Sequence, residues 1–590
     1  MRRPHIRRLA VAVAVTTTAT LPAVPALADA PAHAAVAAPS PVDAARAAAF
    51  AHASATGVTR GDTLRAKDAM TDPDGRQHVR FIRSHRGMPV LGGDLIVHLD
   101  RRGGYLGVTR AADHAVQPPT TEANLTAQQA ERKAADTAQG DAGAAELVVD
   151  ARDGHAVLAY QVRVTDSSTA EAGGSRTVVV DALTGRVRSN TPDNDEFISP
   201  SLAHTLRKQG ESAAPDTDGP KAPSGLTAAG ASAAARYPST ATGTGASLFV
   251  GKVPLTTTRT ARTSYLLKDP TRWGTETRDA KGREPESFSR GTKFTSTTDK
   301  WGNGATSNRA TVAVDAQYGI TRTLDFYKKT FGRKGIRNNG TGAHAMVHFG
   351  KKVGNAFWDS VCGCMLYGDG DGRMFKKPLV VLDVTGHELT HGVVEATAGL
   401  EATREDRYGQ YGEPGALNES LADVFGSGVE FAANNPKNRP NYLIGEKLGL
   451  RQKFLRRLDH PSLDRLERTI DYWSPQTNDT EVHAASGVSS HAFYLLAEGS
   501  GRKTIGGMTY DSPTYDGSRV TGIGRAKALA VFYRALTRYM VSTTDFHDAR
   551  IATLQAAADM YGASSTEYKT VDKAWAAVNV TAAPTPSSAH

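Results

Sequence analysis

The chain has 590 residues, of which 39% are aliphatic or aromatic, so it is too long for one ordinary core and predicts about three or four units. The net charge is +9, and four arginines among the first eight residues contribute four of those charges. The remaining positive charge is spread over a long chain, which fits a soluble protein and argues against nucleic-acid binding.

The first 30 residues have a basic start and an apolar run that ends in small residues, as is typical of a secretory signal peptide. Ala26–Ala28 and Ala28–Ala30 are the candidate cleavage sites. Arg7 and Arg8 leave twin-arginine export open, although we expect the general secretory route. No later run of about 18 apolar residues follows, so we expect no membrane span and predict a secreted protein.

Two small α+β units are predicted next, at residues 45–110 and 120–190. The first contains two strand-like runs around glycine turn signals, and the second contains a helix at Leu125–Ala138 followed by two strand-like runs. Residues 191–243 are rich in Pro, Ser, Ala, Gly and Thr without a sustained period. This composition predicts a linker that contains a proteolytic processing site.

The remaining sequence predicts a large unit of the α+β class. Residues 244–395 begin with β-branched stretches that predict strands, and residues 396–580 are dominated by helical periodicity. Cys362 and Cys364 are the only cysteines. Export favours a bridge between them over free thiols, although the ring would be small. Two thiols without a second pair seldom form a metal site.

A helical stretch near residue 387 carries the strongest chemical signal. His387 and His391 are four residues apart, so on a helix both imidazoles lie on one face and can reach a single ion. Glu388 stands beside that ion without binding it. This H-E-x-x-H pattern is typical of two zinc ligands and a general base.

The third ligand must come from elsewhere. A third histidine shortly after the helix is excluded, because Val394 and Thr397 occupy the glycine and histidine positions of that longer motif. A later helical stretch places Glu419 and Asp423 on one face. Glu419 would bind the ion, and Asp423 would accept the N–H of a ligand histidine and fix its tautomer. Two histidines and one glutamate leave a position open for water, as in catalytic zinc sites.

From about residue 244 to 580 the chain closely resembles the thermolysin family of secreted zinc metalloproteases. The motifs that carry the resemblance occur in order: NAFWD, YGDGDG, DVTGHELTHGVVEATAGL, GALNESLADVFG, VHAASG and GIGRAKALAVFYRAL. The resemblance implies a β-rich N-terminal lobe, an α-helical C-terminal lobe and a zinc helix at the floor of the cleft between them. The two preceding units resemble the family's propeptide, with a fungalysin–thermolysin-type part and a PepSY-like part. Such a propeptide is implied to assist folding, inhibit the enzyme and be removed.

The resemblance also implies roles for individual residues. His387, His391 and Glu419 would bind zinc, Glu388 would be the base, and His483 would donate to the developing oxyanion. Asn355 and Ala356 would bind the substrate backbone as an added strand. Arg456 would hold the carbonyl just beyond the scissile bond, with Arg457 as the neighbouring register. The pocket for bulky apolar side chains on the amine side of the cut would be walled by Val384, Ile444 and Leu455.

Two departures from the family pattern lie near these residues. His391 and Glu419 are 28 positions apart, about eight more than the family leads us to expect. The family's oxyanion tyrosine should fall in this longer segment, and we assign it to Tyr411, with Tyr408 as the alternative. Asp479 stands where an asparagine that supports His483 is expected, and an acid there would keep that histidine protonated.

The family's double calcium site is also altered. Asp383 and Glu430 match two of its acids, whereas Asn441 replaces an aspartate, Leu443 replaces a glutamate, and Glu446 is retained. Two neighbouring calcium ions repel and need several carboxylates, whereas three acids and one amide oxygen suffice for one ion. We therefore predict at least one structural calcium, and one rather than two at this reduced site.

Together these patterns predict a monomeric, secreted zinc endopeptidase that is made as an inactive precursor and acts on proteins and peptides, without nucleic-acid or membrane partners. A binding protein with a dead protease fold would have lost one of His387, Glu388, His391 or Glu419, and all are present. A zinc exopeptidase would need a group that captures a free chain terminus, and the sequence suggests none.

Overall fold

The computed structural model describes residues 40–114, 116–165, 175–203, 205, 237–285, 287–406 and 408–581. The predicted signal peptide and most of the predicted linker lie outside these residues. Within the described residues, no helix combines the length and apolar character needed to cross a bilayer.

The N-terminal part, residues 41–192, contains one ten-stranded sheet. Its helices are α1 (Pro41–Ala51), α2 (Ala53–Thr56) and α3 (Ala127–Ala138). Its strands are β1 (Asp62–Thr71), β2 (Gln77–His85), β3 (Met88–Leu91), β4 (Leu95–Leu99), β5 (Tyr105–Arg110), β6 (Asp141–Ala142), β7 (Glu146–Asp150), β8 (Val157–Thr165), β9 (Ser175–Asp181) and β10 (Val187–Pro192). The order is β10-β9-β8-β7-β3-β2-β4-β5, with β1 on β2 and β6 on β8.

The two predicted N-terminal units therefore share a sheet. Strand β3 of the first unit pairs in parallel with β7 of the second, with Val90 opposite Val149. Each unit keeps its own helix-covered core. Helix α3 begins with a capping box between Thr126 and Gln129, and its buried Ala130 contributes to the core of the second unit.

Both described ends of the predicted linker form strands. Strand β11 (Asn194–Glu196) follows β10 directly, and β12 (Ser239–Ala246) pairs along its whole length with β13 (Lys252–Ala261). The small residues that suggested a linker here serve close packing instead. A Cβ at Gly243, the last residue of the predicted linker, would lie 2.6 Å from the Asp299 carbonyl oxygen, so only glycine fits where β12 passes this residue.

The β-rich half of the large unit holds two sheets around helix α4 (Arg309–Phe331). The remaining strands are β14 (Ser264–Leu266), β15 (Lys268–Asp269), β16 (Thr275–Asp279), β17 (Thr292–Lys293), β18 (Thr295–Ser296), β19 (Lys300–Trp301), β20 (His344–Val347), β21 (Ala356–Asp359) and β22 (Cys364–Tyr367). One sheet has the order β11-β21-β22-β20-β16-β15, with β17 on β16, and the other has the order β18-β14-β13-β12-β19. A disulfide joins Cys362 and Cys364 in the turn between β21 and β22, as the argument from export favoured.

Helices dominate the C-terminal half. They are α5 (Leu382–Ala396), α6 (Glu413–Ala433), α7 (Val482–Ala485), α8 (Gly487–Ala497), α9 (Arg525–Arg538), α10 (Phe546–Tyr561) and α11 (Thr566–Ala576). Three short hairpins accompany them: β23 (Arg404–Asp406) with β24 (Gly409–Tyr411), β25 (Leu443–Ile444) with β26 (Arg456–Arg457), and β27 (Gly501–Ile505) with β28 (Met508–Ser512). The predicted α+β class, with a β-rich lobe before a helical lobe, is confirmed.

Helices α5 and α6 approach closely, and this contact positions the histidine motif. A Cβ on Gly426 would lie 2.7 Å from the Asp383 carbonyl and 3.0 Å from the His387 nitrogen. A larger residue would therefore separate the two backbones. The close approach brings the acids of α6 to the histidines of α5.

Candidate active site

His387 and His391 point their Nε2 atoms at one another from the same face of α5, 3.0 Å apart. Glu419, on α6, lies 3.4 Å from the first Nε2 and 3.6 Å from the second through its two oxygens. All three side chains are buried. The structure thus brings together the three predicted ligands, and their ligand atoms lie within 4.8 Å of one another.

Hydrogen bonds fix the orientation of both imidazoles. His387 Nδ1 donates to Asp423 at 2.7 Å, and His391 Nδ1 donates to the amide oxygen of Asn418 at 3.0 Å. With both Nδ1 atoms donating, both Nε2 lone pairs face the shared centre. The contact of Asp423 is as predicted, whereas Asn418 was missed. Its position directly before Glu419 on α6 was the available signal.

The electrostatics of this centre suit a cation. Burial opposes ionisation of Glu419, but His483 and His391 outweigh it and hold the pKa of that carboxyl well below its usual range. Burial likewise opposes a charged His387, yet Asp423 and Glu419 raise its pKa to about 9, so a bound metal ion would take the place of the proton on Nε2. One oxygen of Glu419 is buried without a hydrogen-bond partner. Two nitrogens and one carboxylate around such a centre match a catalytic zinc donor set.

Glu388 lies beside the centre and is fully buried. Within the described residues, neither of its oxygens has a side-chain hydrogen-bond partner. Burial, with the nearby acids Glu419 and Asp195, raises the pKa of its carboxyl well above the usual value. The backbone N–H of Trp358 on β21 faces this carboxyl. A buried carboxylate of raised pKa next to a metal centre has the properties of a general base.

His483, on α7, has oxygen acceptors at both ring nitrogens. Its Nδ1 lies 3.0 Å from Glu481, and its Nε2 lies 2.8 Å from the carbonyl oxygen of Glu196. Burial opposes the charged ring, but Glu419 and Glu481 raise the pKa of His483 well above its usual value. The protonated ring therefore donates from both nitrogens.

The acid that supports His483 is not the one predicted. Asp479 is largely exposed and pairs with Arg404 at 3.0 Å, whereas Glu481 contacts the imidazole. Glu481 caps the first turn of α7 by accepting from the His483 backbone nitrogen, so the helix start carries its carboxylate to the ring. Position in the motif suggested Asp479, but the helix start decides which acid faces the ring.

The cleft is occupied by a strand of the same chain. Strand β11 runs antiparallel to β21, with Asp195 opposite Trp358. Beyond β11, the Phe197 nitrogen donates to the Ala356 carbonyl at 3.1 Å, and the Ile198 nitrogen donates to the Asn355 side chain at 3.2 Å. Asn355 and Ala356 therefore accept backbone N–H groups from the chain's own segment, and their role toward a substrate stays a prediction.

Arg456 rather than Arg457 faces this strand. Its Nη1 donates to the Phe197 carbonyl at 3.0 Å, while its other nitrogens hold Asp423 at 2.8 and 2.9 Å. Arg457 turns away and pairs with Asp459. The fully buried guanidinium thus links the cleft strand to the acid that orients His387.

Phe197 fills a pocket at this point of the cleft. Its side chain is fully buried, and its ring lies 5.4 Å from the His387 ring. The three predicted pocket residues are all fully buried in the same core cluster: Val384, Ile444 and Leu455. Gly445 was not predicted, but a Cβ there would lie 3.5 Å from the Phe197 ring. That is an ordinary contact distance, so Gly445 lines the pocket without being needed to make room for the ring.

Family models match most of the chain. The thermolysin metallopeptidase catalytic domain matches residues 242–395, and the alpha-helical domain of the same metallopeptidase matches residues 408–580. The fungalysin/thermolysin propeptide motif matches residues 62–112, and the peptidase propeptide and YPEB domain matches residues 124–190. Thermolysin of Alicyclobacillus acidocaldarius subsp. acidocaldarius is 32% identical over 535 residues, covering 86% of this chain and 84% of that protein.

The chain belongs to the thermolysin family. It carries the family's metallopeptidase domains together with the family's propeptide domains, and His387, His391 and Glu419 form a possible metal site. The transglutaminase-activating metalloprotease of Streptomyces mobaraensis is 38% identical over 537 residues, which is 90% of this chain and 62% of that protein. The chain thus spans less than two thirds of that relative. A solved structure, the precursor of protealysin from Serratia proteamaculans, matches with 28% identity and a TM-score of 0.39, covering 52% of this chain and 87% of that chain.

The tyrosine predicted as the thermolysin-type oxyanion donor lies in a hairpin. The long segment between His391 and Glu419 folds as β23 and β24, and the Tyr411 hydroxyl donates to Asp406 at 3.1 Å. The predicted partner of this hydroxyl was the developing oxyanion. In the structure, pairing of β23 with β24 places the hydroxyl next to Asp406 instead. Tyr408, the alternative, is 52% exposed.

The predicted calcium residues form a second buried acidic cluster. Asp383, Glu430 and Glu446 lie together, and burial raises the pKa of all three carboxyls. Repulsion from neighbouring acids adds to this for Glu430 and for Glu446, whose pKa is raised to about 8. One oxygen of Asp383 and both oxygens of Glu446 are buried without a hydrogen-bond partner. Unpaired buried carboxylate oxygens fit a hard cation.

The neighbouring amides differ in part from the prediction. The Asn441 side-chain oxygen, predicted as a ligand, accepts from the Leu443 nitrogen at 2.7 Å, and its Nδ2 lies 3.3 Å from Glu430. Asn438, which was not predicted, donates to Glu430 and leaves its own oxygen buried and unpartnered. Asn438 is thus a further candidate ligand.

Proposed function

We propose that this chain is the precursor of a secreted zinc endopeptidase that hydrolyses internal peptide bonds before bulky apolar residues. The observation that carries this proposal is the course of the chain through the cleft. Asp195 of β11 lies 3.9 Å from His391, and Phe197, two residues later, packs its ring against His387 before the chain continues to Ile198. A cleft that accepts chain on both sides favours internal bonds over chain ends.

The mechanism follows from the groups around the centre. When bound, zinc supplies a water of lowered pKa and polarises the peptide carbonyl. Glu388 accepts the proton of that water and delivers it to the nitrogen of the leaving amine. His483 donates from Nε2 to the oxygen of the reacting carbonyl, a contribution often worth about 3 kcal/mol.

Substrate positioning is supported by the contacts that β11 and Phe197 make. Ala356 and Asn355 receive the backbone N–H groups of two successive residues, and Arg456 holds the carbonyl between them. A pocket that encloses a whole phenylalanine side chain supports a preference for bulky apolar residues at that position.

The propeptide would act as an intramolecular inhibitor and as a folding aid. Inhibition is supported by β11, which fills the cleft. Assistance in folding is supported by contacts that the propeptide makes with helix ends of the enzyme. Lys67 donates to the carbonyls of Glu395 and Thr397 at the end of the zinc helix α5, and the buried Arg80 donates to the Met540 carbonyl just after α9.

The second acidic cluster would bind one structural calcium. Asp383, Glu430 and Glu446 supply the charge, and Asn438 and Asn441 offer amide oxygens. Three carboxylates balance one divalent ion, and the two acids that a second ion would need are absent from positions 441 and 443.

One experiment tests the proposed activity directly. Internally quenched peptides with both ends blocked are incubated with the secreted enzyme before and after removal of zinc by phenanthroline, and again after zinc is restored. We expect cleavage before Phe or Leu that is lost with zinc and regained with it. Cleavage restricted to peptides with a free terminus would contradict endopeptidase activity.

A further inference from the structure

The segment Asn194–Ile198 lies in the cleft as a substrate would. We propose that the Glu196–Phe197 peptide bond is the first bond that this enzyme hydrolyses, and that it does so within its own chain. The inference rests on the proposed endopeptidase activity and names its first substrate.

The backbone contacts identify the bond. His483 contacts the carbonyl before it, at 2.8 Å, and Ala356 accepts from the nitrogen after it, at 3.1 Å. The next carbonyl, of Phe197, accepts from Arg456. The Glu196 carbonyl, the Phe197 N–H and the Phe197 carbonyl thus contact His483, Ala356 and Arg456 in turn. This is the order expected for a peptide whose bond between Glu196 and Phe197 is to be hydrolysed.

Side-chain contacts hold the segment on both sides of this bond. Upstream, Asn418 donates to Asp195 at 3.1 Å and Asn355 donates to Glu196 at 3.2 Å. Downstream, the Phe197 side chain is buried in its pocket. A bond held in this way beside the catalytic groups has lost much of its orientational freedom before the reaction begins.

A further downstream contact keeps the segment from sliding. The Ser199 backbone nitrogen donates to Glu467 at 3.1 Å, and the Ser199 hydroxyl donates to the same carboxylate. Glu467 is itself buried. A shift of one residue would move Phe197 out of its pocket and break this anchor together with the backbone contacts.

The reaction is a simple hydrolysis. Water adds its hydroxyl to the Glu196 carbonyl carbon, the bond to the Phe197 nitrogen breaks, and Glu388 transfers the proton to that nitrogen. The products are a propeptide that ends at Glu196 and an enzyme that begins at Phe197. Ser239–Ala246 pair with β13, so trimming to Gly243, the end of the predicted linker, would remove half of this strand, and we expect later trimming to stop before Ser239.

The bond is also shielded from other enzyme molecules. Phe197 is fully buried, and Glu196 is paired with β21 of its own chain. The first cut is therefore intramolecular, and its rate constant does not depend on precursor concentration.

The test uses the purified full-length precursor, monitored by intact mass and N-terminal sequencing. We expect the first new N-terminus to be Phe197-Ile-Ser-Pro, with the same rate constant over a hundredfold dilution. Phe197→Asp, which puts a charge into the apolar pocket, should slow this cut at least tenfold. Thr205→Asp, a charge-matched change at an exposed position of the same segment, should not.

A second substrate covers the case in which Phe197→Asp fails to fold. A peptide of residues 191–202 with blocked ends is given to the mature enzyme, together with an unrelated blocked peptide that contains phenylalanine. Cutting of the 191–202 peptide between Glu and Phe supports the proposal. If the unrelated peptide is cut but the first new N-terminus of the precursor lies elsewhere, the proposal is overturned and the endopeptidase activity stands. If neither peptide is cut, the endopeptidase activity fails and this proposal with it.

Discussion

Two buried acidic clusters lie one helical turn apart on α5, around His387 and around Asp383, and their charges are balanced differently. In the first, histidines surround Glu419 and hold its pKa far below the usual range. In the second, Asp383, Glu430 and Glu446 face one another, and their pKa values are raised. Histidines of the protein compensate the charge of the first cluster, whereas the proposed calcium would compensate the charge of the second.

Because of this difference, we expect the first cluster to determine activity and the second to determine stability. Asp423 and Asn418 accept hydrogen bonds from the two imidazoles and fix their orientation. The predicted zinc ligands are therefore positioned even without the ion. The second cluster has no such compensation, and like charges in a buried space destabilise the fold around them. Changes confined to one cluster should therefore alter activity or stability separately.

The largest effect is expected from Glu388→Ala. This residue supplies no ligand, so zinc content should remain near one per chain while peptide hydrolysis falls by about 10²–10⁴-fold through loss of the general base. Hydrolysis rates and metal analysis of the same preparation measure both properties. Glu567→Ala, at a surface acid paired with Lys527, is the control and should keep full activity. Activity within about tenfold of the unmodified enzyme would refute the assignment.

Removal of calcium by a calcium-selective chelator should affect the second cluster alone. At calcium levels near 100 times its dissociation constant the ion contributes about 2.7 kcal/mol, so its removal should lower the thermal midpoint of the mature enzyme by roughly 4 °C. Metal analysis should find zinc unchanged and one calcium lost from this cluster. Two calcium ions at the cluster in the unmodified enzyme would contradict the proposed stoichiometry.

Adding acid to the second cluster should let it bind another ion. Asn441→Asp combined with Leu443→Glu supplies two more carboxylates, and we expect higher calcium stoichiometry with a thermal midpoint raised by roughly 3 °C in saturating calcium. Without calcium the same variant should be less stable than the parent. Asn434→Asp adds a charge at an exposed helix end nearby and should change neither property. Unchanged stoichiometry in the double variant would show that these positions do not face the ion.

A cluster that contains both basic and acidic side chains lies where the propeptide contacts α9. His98 contacts His78 at 2.8 Å, with Arg80, Arg534 and Arg538 on the positive side and Asp72 and Asp559 on the negative side. Burial, followed by repulsion from His78, lowers the pKa of His98 to about 3. The folded precursor therefore binds fewer protons than the unfolded chain between pH 6.5 and 3, so its stability falls as the pH falls through this range.

The size of this effect is measurable on uncut precursor. At pH 5 the loss for His98 is about 2 kcal/mol, or roughly 2 °C in the thermal midpoint. Thermal unfolding of the Glu388→Ala precursor at pH 7 and pH 5 measures it, and His98→Gln should remove that part of the difference. His155→Gln, at an exposed histidine, is the matched control. An equal pH effect in all three proteins would rule out His98 as the source.

The sequence predicted those contacts best whose residues lie close together along the chain. The zinc residues follow from helical spacing within α5 and within α6, so a short stretch of sequence is enough to find them. The acid at His483 was misassigned because Asp479 and Glu481 are two residues apart in one loop, and only the start of α7 decides between them. The hydroxyl of Tyr411 depends on pairing within a hairpin that has no counterpart in the family pattern.

The strand in the cleft could not have been found from local pattern. Asn194–Glu196 is short, polar and adjacent to a linker-like stretch, and it becomes a strand only because β21 offers it a partner more than 150 residues later. The shared sheet of the propeptide was missed for the same reason. The parallel pairing of β3 with β7 leaves no mark on either strand, since it depends on how the two units meet.

That shared sheet governs the fate of the propeptide after the first cut. Leu91 and Ala151 are joined across the junction by a backbone hydrogen bond of 2.9 Å, so one continuous sheet connects the docking contacts on α9 with the chain that leads into the cleft. Once Glu196–Phe197 is hydrolysed, the severed strand stays at a high effective concentration near the zinc, in the manner of a bivalent ligand. Escape then requires both attachments to open together. The lifetime of the inhibited complex is therefore set as much by the remote contacts on α9 as by the strand in the cleft.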